Sequence, residues 1–274
     1  MNLPESTVLL TGATDGIGLA TARLLAPRVR HLVLHGPQRD EDVRQLMSEV
    51  RRGMRAGCSL TYLRADYDEL AQVRTLATQV AETVERLDIL INNAGRAGPP
   101  RRTLSTDGNE TTLQTNYLAP FLLTAMLRHL LEGGHRSRIV NVASATHLSA
   151  TLQLDDLGLA RHEYTPVRAY TQSKLALVTY SCALAEQLGT GPCEAVSLHP
   201  GVIATRLLDS LFHMQGEPPA HAAANIVHVA STDEHVNGRY YDERRPAQPN
   251  PTALDTGTQQ ALLRISIELT QSAR

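Results

Sequence analysis

The stretch Thr7-Val8-Leu9-Leu10-Thr11-Gly12-Ala13-Thr14-Asp15-Gly16-Ile17-Gly18 decides the fold. Its first four residues form a short, largely apolar run that predicts a buried strand, and a helical segment follows from Leu19 to Leu25. A glycine turn between a strand and a helix leaves free N–H groups at the helix N-terminus, where a phosphate can bind. The glycines permit the tight turn, the approach of a pyrophosphate and the packing of helix on strand. The alternative is a glycine-rich turn that binds no ligand.

Strands and helices continue to alternate along the chain. Further strands are predicted at residues 31–34, 59–64, 88–91, 138–142, 194–198 and 236–241, and further helices at 40–52, 70–87, 110–131, 169–188, 222–230 and 258–270. This alternation predicts an α/β fold of the Rossmann type, a doubly wound parallel sheet with helices on both faces. At 274 residues we expect a single domain spanning 1–274.

Polar residues follow several of the predicted strands. Asp66 follows the third strand, the stretch Asn92-Asn93-Ala94-Gly95 follows the fourth, and Ser144 follows the fifth. Ligands of open α/β sheets bind outside the carboxyl ends of the strands, so these residues are candidates for a nucleotide site. Asp66 is placed to accept a hydrogen bond from an adenine amine. A simpler interpretation of this turn is that Asp68 caps the next helix.

The second strand runs into His35-Gly36-Pro37-Gln38-Arg39 without a carboxylate. NAD-binding crossovers often end this strand with an acidic residue for the ribose hydroxyls. Arg39 either meets a ribose phosphate or is a solvated loop charge. The absence of a repelling carboxylate favours NADP(H) over NAD(H), with NAD(H) as the alternative.

Tyr170 and Lys174 lie four residues apart on a predicted helix and share one face. A free phenol titrates near pH ~10, and a neighbouring ammonium lowers that pKa. A shift of about three units needs about 4 kcal/mol of differential stabilisation, which a buried cation and a positively charged cofactor ring would supply together. The pair therefore suits proton transfer. The alternative is an ordinary Tyr and Lys on a helix.

Lys174 is the only lysine among 26 lysine and arginine residues. A chain so biased towards arginine is expected to have arginine at position 174 too, unless an arginine side chain cannot perform the role of that residue. The arginine side chain ends in a broad, planar guanidinium that stays charged, whereas the lysine side chain ends in a compact ammonium whose pKa its surroundings can shift. The bias therefore favours a specific role for Lys174.

The composition excludes several classes of function. A net charge of −2 and a pI near 6.6 argue against a nucleic-acid or membrane-surface binder. Three cysteines, Cys58, Cys182 and Cys193, form no metal-ligand pattern. We expect no signal peptide, because the start of the sequence lacks the basic residues and long apolar run typical of one, and no membrane span, because no stretch reaches ~18 unbroken apolar residues. We expect a cytoplasmic protein without a metal.

Two segments are candidates for the substrate side of the site. Residues 206–220 mix Leu, Phe212 and Met214 with Gly and Pro, which predicts a mobile lid over an apolar substrate or, alternatively, a surface helix pair. Leu148, Leu152 and Tyr164 also suggest an apolar pocket, but could equally be core residues. Asn116 is a polar residue in the otherwise largely apolar stretch 113–123, where a helix bend, a water site or a structural role would use it.

Taken in order, these motifs resemble those of the short-chain dehydrogenase/reductase family. The matching motifs are T-G-x-x-x-G-x-G at 11–18, N-N-A-G at 92–95, Ser144, Y-x-x-x-K at 170–174 and P-G-x-x-x-T at 200–205. Residues 138–142, 172–176, 199–202 and 238–241, with the long insert before Tyr170, resemble the branch that holds retinol dehydrogenases and related bacterial oxidoreductases. The resemblance spans nearly the whole chain, and it does not identify retinol as the substrate.

The resemblance implies a role for each matching position. Tyr170 would be the general acid in reduction and the base in oxidation, Lys174 would lower its pKa, Ser144 would bind the substrate oxygen, and Asn116 would anchor a water in the proton path. The implied cofactor-binding residues are Thr11, Gly12, Thr14, Asp15, Gly16, Ile17, Gly18, Gly36, Arg39, Asp66, Asn92, Ala94, Gly95, Tyr170, Lys174, Pro200, Gly201, Ile203 and Thr205.

Four residues depart from the family pattern. Gly36 and Pro37 stand where an acidic or basic residue usually selects the cofactor, Asp15 is acidic where many NADP users are basic, and Ala143 replaces a common second serine. The implied function is reversible interconversion of a carbonyl and an alcohol on an apolar small molecule, in a homodimer or homotetramer. The alternatives are a dinucleotide-binding sensor or scaffold without turnover, and a redox-neutral enzyme such as a dehydratase or epimerase.

Overall fold

The computed structural model describes residues 1–133 and 136–271. Its eight strands are β1 (Thr7–Leu10), β2 (His31–Gly36), β3 (Ser59–Arg64), β4 (Ile89–Asn92), β5 (Ser137–Val142), β6 (Cys193–His199), β7 (Tyr240–Asp242) and β8 (Arg245–Ala247). They form one sheet in the order β3-β2-β1-β4-β5-β6-β7-β8. The first seven strands are parallel, and β8 pairs antiparallel with β7 at the edge. The chain thus winds outward in both directions from β1, and the glycine turn follows β1 at the point where the winding reverses.

In the described part of the chain, eight α-helices accompany the sheet. They are α1 (Gly16–Leu25), α2 (Asp40–Arg52), α3 (Leu70–Thr83), α4 (Ala119–Leu131), α5 (Pro166–Leu188), α6 (Arg206–Phe212), α7 (Pro219–Ser231) and α8 (Thr256–Gln271). A single α turn at Thr111–Leu113 and a π-helical turn at Gln114–Leu118 lead directly into α4. Short 3₁₀ turns lie at Leu3–Glu5, Ala145–Ser149, Leu154–Asp156 and Pro251–Leu254.

Apolar side chains cover both faces of the sheet. On one face Leu9 and Leu90 pack with the buried sides of α3, α4, α5 and α8. On the other, Leu10 and Ile91 pack with α1, α2 and α7. A parallel sheet covered by helices on both faces needs strands that are apolar throughout, and β1 is buried at all four positions. The predicted Rossmann-type, single-domain α/β fold is confirmed. The predicted span 1–274 includes residues 134–135 and 272–274, which lie outside the described residues.

Several predicted boundaries are wrong. The third helix ends at Thr83 instead of Leu87, because Val84 has an extended backbone conformation and the chain leaves the helix towards β4. Asp68 is not a helix cap: Glu69 holds that position, and the N–H of Leu70 donates to Asp107 Oδ2 at 2.7 Å.

The end of the sheet also differs from the prediction. The strand predicted at 236–241 covers only Tyr240–Asp242, because residues 236–239 form a turn in which Gly238 has a φ of +75°. The segment after it, for which no strand is predicted, contains β8, so the sheet is not parallel throughout. Among the residues that the structure describes, no helix combines the length and apolarity needed to cross a membrane.

Candidate active site

A cleft of about 950 Å³ opens at the carboxyl ends of the parallel strands. Most of the predicted site residues line it. They are Gly12, Thr14, Asp15, Gly16, Ile17, Gly18, Asp66, Ala94, Gly95, Ser144, Tyr170, Lys174, Pro200, Gly201, Ile203 and Thr205. Five others, Thr11, Gly36, Arg39, Asn92 and Asn116, do not line it. The cleft therefore joins the glycine turn at one end to Ser144, Tyr170 and Lys174 at the other.

The glycine turn needs glycine for a steric reason. Gly12 has a φ of +64°, and a Cβ there would lie 2.7 Å from the Cα of Ala94. A Cβ on Gly18 would lie 1.9 Å from the carbonyl oxygen of Gly12. Side chains are thus excluded at Gly12 and Gly18, and the turn keeps the main chain at the N-terminus of α1 in a form that a phosphate can approach.

Thr11 and Asn93 hold the turn in place from behind. The Thr11 hydroxyl oxygen accepts hydrogen bonds of 3.0 Å from the main-chain N–H groups of Asn93 and Ala94. The Asn93 amide donates to the carbonyl oxygens of Thr11 and Gly12 at 2.9 and 3.2 Å. Asn93, and not the predicted Asn92, lines the cleft. Asn92 is buried, and its amide donates to Thr124 and Asn141.

Ser144, Tyr170 and Lys174 meet at the other end of the cleft. The Lys174 Nζ atom lies 5.7 Å from the centre of the Tyr170 ring and donates to the carbonyl oxygen of Val142 at 2.9 Å. Burial raises the pKa of Tyr170 to about 12, and a hydrogen bond with Ser144 acts in the opposite direction. Burial lowers the pKa of Lys174 to about 8. Burial outweighs the Ser144 hydrogen bond here, and the lowering of the Tyr170 pKa by Lys174 together with a positively charged cofactor ring stays a prediction.

Asn116 lies in the π-helical turn at Gln114–Leu118 and is fully buried. Its Oδ1 accepts from the Arg96 N–H at 2.8 Å, and its Nδ2 donates to the carbonyl of Arg96 and the hydroxyl of Ser173 at 3.1 and 3.0 Å. Both amide hydrogens are thus engaged within the protein. The side chain ties the helix of Tyr170 to the loop after β4, and its anchoring of a water stays a prediction.

The tip of β2 carries no carboxylate. A Cβ on Gly36 would lie 2.6 Å from Thr14 Cγ2, so the close approach of the glycine turn favours glycine here. Arg39 precedes α2, its side chain is 72% exposed, and it lies 3.5 Å from Glu41. Arg64, which pairs with Gly36 across the strands, donates to the carbonyl oxygen of Pro37 at 3.0 Å. Two arginines therefore flank the strand tip, outside the cleft wall.

The predicted lid segment forms one rim of the cleft. Arg206, Leu207, Leu208, Ser210, Phe212 and Met214 line it, on or just after α6. The chain then runs extended, with the Glu217 N–H donating to the carbonyl oxygen of Val202 at 2.8 Å, and α7 begins at Pro219. Of the other predicted pocket residues, Leu148, Leu152 and Tyr164 do not line the cleft.

The cleft wall also contains residues to which sequence reasoning assigned no binding role, among them His35, Arg96 and Arg206. His35 is buried at the tip of β2, where it accepts from the Gly12 N–H at 3.4 Å and contacts the Ala65 carbonyl oxygen at 3.0 Å. A histidine at the end of a buried strand was the available signal. Arg206 forms an ion pair with Asp15 across the cleft. Nothing in the spacing of the sequence connects residues 191 positions apart.

The cleft fits a dinucleotide. Its wall includes the glycine turn at the N-terminus of α1, and the buried ammonium of Lys174 also lines it. Among residues 1–133 and 136–271, no group of three or more His, Cys, Asp or Glu side chains is arranged to hold a metal ion. Fold and site together define a nicotinamide-dependent oxidoreductase.

Comparison with known proteins identifies the family. Residues 6–216 match the short chain dehydrogenase family, and the chain belongs to it. The chain is 33% identical to human retinol dehydrogenase 13 over 270 residues, which is 92% of this chain and 81% of that protein. It is 36% identical over 265 residues to a Streptomyces sp. (strain C5) protein assigned as daunorubicin C-13 ketoreductase DnrU, covering 93% of this chain and 89% of that one.

A solved structure shares the same fold. A crystal structure of a Mycobacterium paratuberculosis protein superposes with a TM-score of 0.79 at 30% identity, covering 98% of this chain and 96% of that one. The protein is thus an NAD(P)-dependent oxidoreductase that acts on carbonyl and alcohol groups. The resemblance to the retinol dehydrogenase branch is confirmed.

Proposed function

We propose that the protein interconverts a carbonyl and an alcohol on an apolar small molecule, with Tyr170 as general acid and base and with NADP(H) preferred. The observation that carries this proposal is the convergence of Ser144, Tyr170 and Lys174 at one end of a cleft whose other end is the glycine turn. Apolar side chains on the rim, including Leu207, Phe212 and Met214, favour an apolar substrate.

The nicotinamide supplies or accepts the hydride when bound, and its oxidised ring adds a positive charge beside Tyr170. The main chain of the glycine turn would hold the pyrophosphate, Asp66 the adenine, and Thr205 the carboxamide. The Lys174 ammonium has three hydrogens, and Val142 takes one, so two remain for the ribose and for the Tyr170 hydroxyl.

In reduction, the Ser144 hydroxyl would hold the substrate oxygen and Tyr170 would deliver a proton to it. The Tyr170 phenol is buried and neutral in this structure, which is the state a proton donor needs. In oxidation, Tyr170 must accept the proton, and both Lys174 and the added ring charge would favour its phenolate. The preference for NADP(H) is supported by the bare tip of β2 and by Arg39 and Arg64 beside it.

The test is a fluorescence titration of purified protein with NADPH and NADH, followed by turnover of a carbonyl panel. The panel should include retinal and daunorubicin, because relatives are named for retinol and daunorubicin. We expect tighter binding of NADPH and consumption of NADPH with at least one carbonyl. Binding without turnover on the whole panel would favour a sensor or scaffold. Product formation without net cofactor consumption would favour a redox-neutral enzyme, and binding of neither nucleotide would overturn the proposal.

A further inference from the structure

The turn that carries Ser144 is held by few bonds of its own. Ser144 caps the 3₁₀ turn Ala145–Ser149, and its hydroxyl oxygen accepts from the Thr146 N–H and hydroxyl at 3.3 and 3.1 Å. A 3₁₀ turn lies outside the sheet ladder, and its hydrogen bonds have poorer geometry than those of an α-helix. The place of the Ser144 hydroxyl therefore depends on what packs behind this turn.

His147 lies behind the turn and is fully buried. Its Nδ1 lies 2.7 Å from the carbonyl oxygen of Ser144, and its Nε2 lies 3.3 Å from the main-chain nitrogen of Asn250. A main-chain N–H can only donate, so Nε2 accepts and Nδ1 carries the hydrogen. The neutral ring with its hydrogen on Nδ1 satisfies both bonds, and its face packs against Tyr240 at a centroid distance of 4.6 Å.

Asn250, in the C-terminal part of the chain, also contacts the turn that carries Ser144. Its buried amide nitrogen lies 3.1, 3.2 and 3.1 Å from the carbonyl oxygens of His147, Leu148 and Ala150. Its Oδ1 accepts from the Thr252 N–H at 2.9 Å, which fixes the amide orientation. One side chain, about 100 residues further along the chain, thus contacts three carbonyl groups at the end of the Ser144 turn.

We propose that His147 and Asn250 are positioning residues that hold the Ser144 hydroxyl at the distance from Tyr170 that the reaction needs. Neither residue lines the cleft, so both act through Ser144 and touch no substrate. A displacement of about 1 Å at a reacting group can cost ~100-fold in rate. This inference rests on the proposed function, because it gives Ser144 its catalytic role.

The test compares Asn250→Ala with Asn237→Ala. Asn237 also makes three main-chain hydrogen bonds, to Ala185, Gly189 and Ala195, but it lies near the amino-terminal end of β6, away from the cleft. We expect both variants to lose similar stability to denaturant. Only Asn250→Ala should lose kcat, by roughly 10- to 100-fold, with the Kd of NADPH and the substrate KM nearly unchanged. Equal kcat values in the two variants would overturn the proposal.

Variants at His147 provide a second test of the positioning role. In His147→Asn, the side-chain Nδ2–H can replace the ring Nδ1–H as the donor to the carbonyl oxygen of Ser144. His147→Leu removes this donor. We expect His147→Asn to retain several-fold more kcat than His147→Leu, and equal losses would count against a positioning role.

Amide hydrogen exchange keeps the inference separate from the proposed function. Peptides covering 144–150 should exchange faster in Asn250→Ala than in Asn237→Ala, while those covering 11–18 should not change. If the wild-type protein shows no turnover but the exchange differs in this way, the proposed function fails, whereas the support of the Ser144 turn by Asn250 is confirmed. If turnover is present and exchange at 144–150 is unchanged in Asn250→Ala, the inference fails alone.

Discussion

The Lys174 ammonium donates a hydrogen bond of 2.9 Å to the carbonyl oxygen of Val142, the last residue of β5. This bond joins the helix that carries Tyr170 to the strand that leads into Ser144. The surroundings are tight, since a Cβ on Gly95 would lie 3.4 Å from Lys174 Nζ and 3.4 Å from Asn116 Oδ1. This close contact with Gly95 and Asn116 favours a compact ammonium over a broad planar guanidinium, in keeping with a lone lysine in an arginine-rich chain.

Replacing Tyr170 with Phe should abolish turnover and leave the Kd of NADPH within about twofold. The change removes only the hydroxyl that moves the proton, and general acid–base catalysis contributes ~10²–10⁴-fold. The matched control is Tyr180→Phe, a second buried tyrosine on α5 that packs against Phe121 with ring centres 5.1 Å apart. Steady-state kinetics should show near-normal kcat in the control. Near-normal kcat in Tyr170→Phe would refute the mechanism.

Lys174 should titrate near pH 8 because burial disfavours its charged form. The chain holds a single lysine, so protein labelled with [¹³C]lysine gives one side-chain Cε resonance. We expect its chemical shift to titrate with a midpoint near 8 in the protein without nucleotide. Lys174→Arg should lack this signal. A midpoint above 10 would contradict the direction of the pKa shift.

Much of this site could be predicted from sequence because local motifs place it. The glycine turn, Ser144, Tyr170 and Lys174 each lie where a strand ends or a helix face turns to the cleft, and the parallel sheet brings those ends together. His35, Arg206 and Asn250 could not be found in this way. Their partners are Gly12, Asp15 and the Ser144 turn, which only the folded chain brings close.

The choice between Asn92 and Asn93 shows a second limit. Successive side chains of a strand point to opposite faces of the sheet. An error of one residue in the predicted end of β4 therefore selects a side chain that does not face the cleft. The prediction ended the strand at Ile91, whereas β4 continues to Asn92. The amide of Asn92 accordingly lies against Thr124 and Asn141, under α4.

Replacing Arg39 with Ala should weaken NADPH by about tenfold, as for the loss of ~1.4 kcal/mol, and NADH by less than about twofold. Arg39 is held by little besides a 3.5 Å contact with exposed Glu41, so it is available to a 2′-phosphate at the tip of β2. Arg52→Ala, at the far end of the same helix, is the control for a general loss of positive charge. Equal effects on the two nucleotides would remove Arg39 from cofactor selection and direct attention to Arg64.

Replacing Arg206 with Ala should weaken dinucleotide binding by roughly three- to fivefold, the range of an exposed ion pair. Asp15 accepts from the Gly16 N–H at 2.8 Å, so its carboxylate stands at the anion site of the glycine turn, and the Arg206 guanidinium offsets that charge. The same contact holds the pKa of Asp15 below its usual value. Asp15→Asn should restore binding in the Arg206→Ala background. A double-mutant cycle on the Kd of NADPH that shows no coupling would contradict this account.

His35 should make the protein less stable in acid. Burial lowers its pKa from 6.5 to about 4, while a hydrogen bond to the Ala65 carbonyl and the charge of Asp66 act more weakly in the other direction. Between these two values the unfolded chain binds a proton that the folded protein excludes, so the contribution of His35 is complete above pH 6.5 and is lost as the pH falls towards 4. A shift of this size corresponds to about 3 kcal/mol.

The measurement is the free energy of unfolding by urea at several pH values between 7 and 4, for the wild-type protein and for His35→Gln. Acidic groups titrate in both proteins, so the difference between the two slopes isolates His35. We expect the wild-type slope to be steeper by up to about 1.4 kcal/mol per pH unit, the value for one proton. Parallel curves would mean that the pKa of His35 is the same in the folded and unfolded protein, which would contradict the lowering by burial. His35 would then lose its ability to accept the N–H of Gly12 as soon as the pH falls below about 6.5.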